Sequence, residues 1–288
     1  MHNIIFPMLL KTAPASFDDE RYIFQPKIDG HRAIIKHHNG ETRIFTRHGT
    51  EVTRYYPELW DVPVLDDVIL DGEIACHDES GAINFELMQA RFAIKNRVKI
   101  KAAMLHSPVT FYAFDIIVLN GRDLRMLPLT DRQRILADVY GESVHFRTLL
   151  TVDSTGNALF GAIKARNMEG IVAKKKESVY VSKRSSNWLK IINWTYADVY
   201  ITGCLKQEFG WLAAVHGDGG RLRPAGVIKL GVPPIAKKAF KSVVEPLVIG
   251  EDNTNVYLEP KIRIRVKMRN WTQAGLLRAP SFVEFIVS

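Results

Sequence analysis

Polar and apolar residues alternate without a break from Lys261 to Arg269, near the end of the chain. Successive side chains of a β-strand point to opposite faces, so the pattern predicts a strand with one basic face and one apolar face. The basic face holds Lys261, Arg263, Arg265, Lys267 and Arg269, which we call the basic row. We expect the apolar face to pack into the core of a small barrel.

The first two-thirds of the chain mixes strand and helix patterns. Asn39-Gly40 between two β-prone segments predicts a hairpin of Ala33–Lys36 with Thr42–Thr46. A short strand, a long buried strand and a helix capped by its first residue follow, namely Val68–Leu70, Val109–Leu119 and Thr130–Tyr140.

After about Asn193 the segments become short and β-like, and Ile235–Leu247 is the one helix candidate. Several short strands with one helix are typical of a small barrel such as an OB-fold. We therefore expect an α+β domain over residues 1–193 and an all-β OB-fold domain over residues 194–288.

Composition indicates a globular protein, because 47% of the 288 residues are hydrophobic and 24% are charged. No apolar run approaches the ~18 residues of a membrane span, and we find no secretory leader at the start. Cys76 and Cys204 fit no metal-ligand spacing and suit a reducing compartment. We expect a cytoplasmic monomer that does not bind membranes.

A net charge of +8 favours a polyanionic partner. The basic row contains no acid, and five neighbouring cations repel one another unless a polyanion lies close. We therefore expect the row to contact the DNA backbone, through contacts that carry no sequence information. The alternative is an edge strand that its charges protect from aggregation.

The segment Lys27–Arg32 carries the strongest candidate for covalent chemistry. Lys27 follows an apolar stretch, Tyr22–Phe24, and Pro26 stiffens the approach to it. A desolvated lysine near other cations becomes a nucleophile at neutral pH, and the planar fork of Arg32 suits a phosphate. The alternative is a surface lysine beside an Asp-Gly turn.

Further polar clusters follow in order along the chain. They are Thr46–Gly49, Leu70–Glu73, Phe111–Asp115, Glu169–Lys174 and Ser185–Lys190. Each alone has an ordinary structural explanation: Glu73 and Glu169 as charges at strand ends, Phe114 as core, and Lys174–Lys176 as a solvated basic run.

Together, in this order and spacing, these clusters resemble the nucleotidyltransferase motifs of the ATP-dependent DNA ligases, and most closely the compact bacterial, phage and prophage type. Pro7–Leu9 resembles the usual opening of those proteins, and Asn270–Phe282 the end of their OB domain. The resemblance covers nearly the whole chain. It implies an adenylation domain over residues 1–193 and an OB-fold DNA-binding domain over residues 194–288.

The resemblance also implies the chemistry. Lys27 would attack the α-phosphate of ATP and hold AMP, which then passes to the 5′-phosphate of a nick before the 3′-hydroxyl expels it. ATP and Mg²⁺ (or Mn²⁺) would be the cofactors, and nicked double-stranded DNA the partner.

The resemblance also implies roles for single residues. Lys190 and Lys174 would lie near the α-phosphate, Arg32 near the ribose or the nick phosphate, and Glu73 on the ribose, with Glu169 and Glu73 as the metal ligands.

Phe114 would stack on adenine, Gln25 would lie at the edge of the base, and Asp29 would orient the site. Arg47, the basic row and Arg278 would contact DNA.

Two positions depart from the family pattern. Ile192 stands where a second lysine usually follows Lys190, and Val283–Ser288 lacks the usual Asp-Lys pair. Both lysines serve the first step, transfer of AMP to the enzyme, so we expect an active ligase that is slow in that step or demands more ATP.

Other functions remain open from the sequence. An RNA ligase or a GTP-using capping enzyme of the same superfamily is disfavoured by the ligase-like segment Trp271–Phe282. A DNA-binding protein that keeps the ligase fold without catalysis is favoured by Ile192 but opposed by the retained motif residues. A membrane-surface protein would need a basic amphipathic helix, whereas these cations lie on a predicted strand.

Overall fold

The structure is a computed structural model that describes residues 5–286, so that Val287 and Ser288 of the C-terminal segment lie outside the described residues. The chain divides into two compact units between Asn193 and Trp194. We call them unit 1 and unit 2.

Unit 1 contains two β-sheets with helices beside them. In chain order the strands are β1 Leu9–Thr12, β2 Tyr22–Pro26, β3 His31–His38, β4 Glu41–Thr46, β5 Val68–Cys76, β6 Val109–Leu119, β7 Arg122–Asp123, β8 Phe146–Thr148, β9 Val152–Asp153, β10 Gly170–Lys175 and β11 Arg184–Ile192. The helices are α1 Phe85–Ala93, α2 Arg97–His106, α3 Leu129–Val139 and α4 Gly156–Ala165.

The strands of unit 1 form a five-stranded sheet, β1-β11-β10-β2-β9, and a six-stranded sheet, β4-β3-β5-β6-β7 with β8 beside β6. Apolar residues from both sheets meet in one buried cluster, including Ile23 of β2, Ile34 of β3, Phe114 of β6 and Trp188 of β11. Separate clusters bury α4 against the first sheet and α1 and α3 against the second. The space between the sheets is therefore where residues of both can converge.

The predicted hairpin and the long buried strand are confirmed. Asn39 and Gly40 both have positive φ between β3 and β4, as a two-residue hairpin turn of this kind needs. The strand β6 spans the predicted Val109–Leu119.

Two predicted boundaries are wrong. The strand β5 does not end at Leu70 but continues to Cys76, so Glu73 lies in mid-strand. Gly72 makes this possible, because a Cβ there would lie 2.3 Å from the Phe111 ring. Helix α3 begins at Leu129 after Pro128, so Thr130 lies in its first turn and does not cap it.

Unit 2 is one curved six-stranded sheet with a helix. Its elements are β12 Thr195–Leu205, β13 Trp211–His216, β14 Leu222–Ile228, α5 Pro234–Val244, β15 Val248–Glu251, β16 Asn255–Met268 and β17 Ser281–Ile286. The order is β14-β13-β12-β16-β15, with β17 also paired to β16. The predicted helix is present, and its Ala236 and Phe240 pack on a core around Trp211. This arrangement is consistent with an OB-fold barrel.

Within residues 5–286, every helix is too short or too polar to cross a bilayer.

Candidate functional site

A pocket of about 390 Å³, its open mouth included, lies between the two sheets of unit 1. The first sheet and the segment after β2 supply Leu10, Gln25, Pro26, Lys27, Ile28, Val172, Lys174 and Trp188 to the lining, the second sheet supplies Arg32, Glu73 and Phe114, and Leu149 completes it. Six of the residues that the sequence nominated for nucleotide binding therefore converge here: Gln25, Lys27, Arg32, Glu73, Phe114 and Lys174.

Lys27 lies at the point where β2 ends. Its main-chain N–H donates to the Gly170 carbonyl at 2.8 Å, which ties it to the start of β10. Its amine donates to the Glu169 carboxylate at 2.7 Å, and this carboxylate is almost fully buried. The two residues are 142 positions apart in the chain, yet the β2–β10 pairing brings them together.

Glu73 is the most strongly perturbed carboxyl of the pocket. Burial raises its pKa to about 7; Lys27 and Arg32 oppose the shift, whereas Glu169 and Asp71 add to it. The Glu169 carboxylate thus contacts the Lys27 amine, and the Glu73 carboxyl belongs to the lining of the same pocket. Such a pair of oxygen donors suits a hard divalent cation, although the described residues contain no cluster of three or more metal-binding side chains.

Arg32 is held by a partner that the sequence did not reveal. Its Nε and Nη2 each donate to the buried Asp71 carboxylate at 2.6 Å. The Tyr180 hydroxyl donates to the same carboxylate at 2.6 Å and accepts from the Met8 N–H at 3.1 Å. Because Asp71 is fully buried, this bidentate pair fixes the guanidinium at the pocket wall.

Lys174 is buried and does not belong to a solvated basic run. Its amine lies 4.3 Å from the centre of the Phe114 ring and 4.1 Å from that of Trp188. It donates to the Phe114 carbonyl at 3.2 Å. Burial lowers the pKa of this amine to about 7, and the neighbouring Arg32 acts in the same direction.

The Arg32 guanidinium also lies over the Phe114 ring, 4.4 Å from the centre of the ring. Two cations therefore lie against the ring that the resemblance assigns to adenine. Stacking of adenine on Phe114 stays a prediction.

Lys190 lies on β11 directly opposite Val172 of β10. Cross-strand partners share a face of the sheet, so Lys190 points to the side on which Val172 lines the pocket. Ile192 follows on the same face of β11 and is buried, and Asp29 is partly buried in the segment between β2 and β3.

Four members of the basic row lie on β16 with the predicted alternation, and Arg269 directly follows the strand. Ile264, Val266 and Met268 are buried, whereas the basic side chains between them are only partly buried. In contrast to the expectation from the sequence, the row is not a set of uncompensated cations. The carboxylate of Asp198 on β12 lies 2.9 Å from Arg265 Nε and 3.9 Å from Arg263 Nη2.

Other members of the row also have neighbours. Glu284 of β17 lies 3.4 Å from Arg265, and Glu259 lies 3.1 Å from Lys261. Lys267 and Arg269 lie over the Trp194 ring, at 5.1 and 4.9 Å from its centre. Mutual repulsion therefore does not demand a polyanion here, because Asp198 and Glu284 on the adjacent strands and Glu259 on β16 itself supply carboxylates.

The remaining predicted DNA contacts lie apart in sequence. Arg47 is exposed in the turn after β4, and Arg278 is partly buried after Leu277, where its main-chain N–H donates to the Asn270 carbonyl at 3.0 Å.

Several residues of the pocket and its walls could not be identified from the sequence. Tyr180, Trp188, Gln133 and Asp71 were not assigned roles, because each acts through a partner that is distant in the chain. The available signal for Asp71 was an acid that directly follows the apolar segment Val68–Leu70.

Comparison of the sequence with known proteins gives one consistent family. Residues 7–191 match the family described as "ATP dependent DNA ligase domain". The SPbeta prophage-derived DNA ligase-like protein LigB of Bacillus subtilis is 36% identical over 279 residues, covering 96% of this chain and 97% of that protein. The multifunctional non-homologous end joining protein LigD of Mycolicibacterium smegmatis is 30% identical over 311 residues, and the match covers 96% of this chain but 37% of that protein.

Solved structures agree in fold. The mycobacterial DNA ligase D complexed with ATP and MES aligns with a TM-score of 0.60 at 25% identity, covering 98% of this chain and 95% of that one. A Lig E DNA ligase aligns with a TM-score of 0.67 at 17% identity, covering 99% and 100%, which is a likeness of fold. The predicted fold class, an α+β nucleotidyltransferase domain followed by an OB-type barrel, is confirmed.

Proposed function

Because the chain belongs to the family of ATP-dependent DNA ligases, we propose that it seals nicks in duplex DNA through AMP carried on Lys27. Unit 1 would be the adenylation domain, and unit 2 the OB-fold domain that holds DNA. The observation that carries the proposal is the position of the Lys27 amine, at the edge of a pocket that two sheets line with Gln25, Arg32, Phe114 and Lys174.

In the first step, the Lys27 ammonium loses a proton to water, and its free amine attacks the α-phosphorus of ATP. A P–N bond forms, and the P–O bond to pyrophosphate breaks. The 5′-phosphate oxygen of the nick then displaces the lysine, and the 3′-hydroxyl finally displaces AMP. Such transfers depend on positioning and on charge neutralisation. The ion pair with Glu169 holds the Lys27 amine at the end of β2, where it can meet the α-phosphate.

The cations of the pocket would neutralise the phosphates. Arg32 is fixed by Asp71, and Lys190 projects from the same face as Val172. Lys174 has a pKa of about 7 and would gain a proton when a phosphate approaches, because a nearby negative charge stabilises the ammonium form.

Glu73 and Glu169 are the residues that would hold Mg²⁺ or Mn²⁺. The raised pKa of Glu73, to which Glu169 contributes, indicates a site where a positive ion would stabilise both carboxylates. A bound divalent ion supplies charge stabilisation to the phosphoryl oxygens and the leaving pyrophosphate. Phosphate oxygens and water would complete its ligands.

We also propose that the DNA backbone is contacted by Arg47 of unit 1 and by six cations of unit 2, namely Lys261, Arg263, Arg265, Lys267, Arg269 and Arg278. The support is a net charge of +8 and the grouping of cations on one face of β16. Nicked duplex DNA would be the partner of a monomeric enzyme in the bacterial cytoplasm, since a prophage-derived relative is of bacterial origin.

In the test, the protein is first treated with pyrophosphate, which removes AMP already bound. It is then incubated with α-labelled ATP and Mg²⁺, and the label that it retains is read on a denaturing gel. The wild type should keep the label, and Lys27→Ala should retain at least a hundredfold less label, since no other group takes the place of the nucleophile. Added nicked duplex should then release the label and close the strand. Ile192 supports a slow first step, so labelling should be slower than closure of a pre-adenylylated nick.

Absence of label from the wild type, combined with tight binding of nicked DNA, would instead support a ligase-fold DNA-binding protein. Closure of nicked RNA in preference to nicked DNA would support an RNA ligase.

A further inference from the structure

One hydrogen-bond acceptor in the pocket has no partner. Gln25 is 1% exposed and lines the pocket, and its Oε1 is buried without a hydrogen-bond partner among the described residues. A buried polar atom left unpaired costs free energy, so its presence at a ligand pocket points to a group that the ligand supplies.

The orientation of this amide follows from a chain of hydrogen bonds. The Phe114 carbonyl can only accept, and Gln133 Nε2 of α3 donates to it at 2.7 Å. The Oε1 of Gln133 must therefore face the other way, where it accepts from Gln25 Nε2 at 3.4 Å. An inverted Gln25 amide would place two acceptor oxygens against each other.

A second series of hydrogen bonds gives the Gln25 amide the same orientation. The Thr151 hydroxyl donates to the Leu149 carbonyl at 3.3 Å, which leaves its oxygen as the acceptor for Gln25 Nε2 at 2.9 Å. Both donor hydrogens of Gln25 are therefore used outside the pocket. The acceptor Oε1 is the atom that remains.

Gln25 precedes Lys27 on the same strand by two residues, or about 7 Å of extended chain. With the α-phosphate at Lys27, the base of the nucleotide reaches toward Gln25. A fixed acceptor selects a base edge with a donor, and adenine carries a 6-amino donor where guanine carries an oxygen acceptor.

We propose that Gln133 is a positioning residue that makes the enzyme choose adenine, because it fixes the amide of Gln25 with the acceptor turned into the pocket. This inference rests on the proposed function. It adds a residue of α3 that touches neither the nucleotide nor the nucleophile.

The experiment compares two nucleotides within each variant. Rates of transfer to Lys27 are measured with ATP and with purine riboside triphosphate, which lacks the 6-amino group, and expressed as the ratio of their kcat/KM values. A general loss of folding or activity lowers both rates and leaves this ratio unchanged, so the ratio reports base recognition alone.

In the wild type the ratio should favour ATP by about tenfold, the usual worth of one hydrogen bond to a buried group. It should fall to near one in Gln25→Met. It should fall by about threefold in Gln133→Met, because Thr151 still accepts from Gln25 Nε2 at 2.9 Å, and the double variant should show no further fall beyond Gln25→Met, since Gln133 acts through Gln25. Gln133→Met should also accept GTP better than the wild type does. Gln89→Met, at an exposed position of α1, should keep the wild-type ratio.

Thr151→Val provides a second variant should Gln133→Met fail to fold, because Thr151 is exposed. It removes one of the two acceptors, and the ratio should fall by about threefold. A wild type that takes no label from ATP would overturn the proposed function. Labelling of the wild type, with an unchanged ratio in Gln133→Met, would overturn only the role of Gln133. If Gln133→Met does not fold, an unchanged ratio in Thr151→Val would overturn the premise that the fixed amide of Gln25 selects the base.

Discussion

The pocket of unit 1 and the basic row of unit 2 hold their charges in opposite ways. In the pocket, Arg32 is fixed by a fully buried carboxylate, and Lys174 lies between aromatic rings with little access to water. On β16, Arg265 meets Asp198 and Glu284 where more than a third of its side chain is exposed. Buried partners fix a side chain in one geometry, whereas exposed partners exchange readily with water, salt or a phosphate.

The difference matters for what each region can do. Phosphoryl transfer needs groups held within a fraction of an ångström, and the Asp71–Arg32 pair supplies such an anchor. Contact with a DNA backbone of any sequence tolerates movement, and the loosely paired cations of β16 suit it.

The largest effect is expected from breaking the buried anchor. Asp71→Asn leaves the Arg32 guanidinium buried without a carboxylate, and removal of one partner of a buried ion pair costs about 3–5 kcal/mol. Unit 1 should therefore unfold roughly 10 °C lower in calorimetry. Asp123→Asn, which weakens the exposed pair with Arg125, should cost less than about 1 kcal/mol. Equal losses in the two variants would show that burial does not separate the two kinds of pair.

A second effect follows from the lowered pKa of Lys174. The unfolded chain keeps the proton to about pH 10.5, whereas the folded protein releases it near pH 7. The unfolded state therefore binds more protons between these values, and the free energy of unfolding should gain up to about 1.4 kcal/mol per pH unit from this group as pH rises.

Lys174→Met fills the same space between Phe114 and Trp188 without an amine, so this gain should disappear. Denaturant unfolding of both proteins at pH 7 and pH 9 measures the difference. If the free energy of unfolding changed equally between pH 7 and pH 9 in both proteins, the amine would keep its proton in the folded protein.

The same contrast explains what the sequence could predict. Periodicity predicted the hairpin at Asn39-Gly40, the strand β6 and the alternation of β16, because these depend on neighbours in the chain. The ordered motifs named nine candidates for nucleotide binding, and six of them line the pocket. Asp198, in contrast, was invisible as a partner of the basic row, because it joins Arg263 and Arg265 only through the pairing of β12 with β16.

Glu73 shows the same limit within unit 1. The segment Asp71–Glu73, two acids around a glycine, is typical of the end of a strand, since Asp and Gly are rare in strand interiors. The structure keeps it in mid-strand, because Gly72 admits the Phe111 ring and Arg32 offsets the Asp71 charge. The groups that stabilise Asp71 and Gly72 in mid-strand are Arg32 of β3 and Phe111 of β6. Both lie about 40 positions away in the chain and become neighbours only when the sheet forms.

The smallest effect sharpens the comparison at unit 2. Asp198→Asn removes the carboxylate that lies against Arg263 and Arg265 and leaves the sheet pairing intact. If these cations meet DNA, the variant should bind nicked duplex about two- to fivefold more tightly. Its log–log dependence of affinity on salt should also steepen by up to about 0.9 for each cation that gains a phosphate.

Glu208→Gln is the matched control, because it removes the same charge from an exposed pair with Lys229, in the turn between β12 and β13. Fluorescence anisotropy across a salt series compares the three proteins. A steeper slope in Asp198→Asn but not in Glu208→Gln would place the DNA backbone along the basic row, since a general change in net charge acts on both variants alike. Equal slopes in all three proteins would instead identify the row as a self-compensated face of the sheet, with DNA held by other cations of the chain.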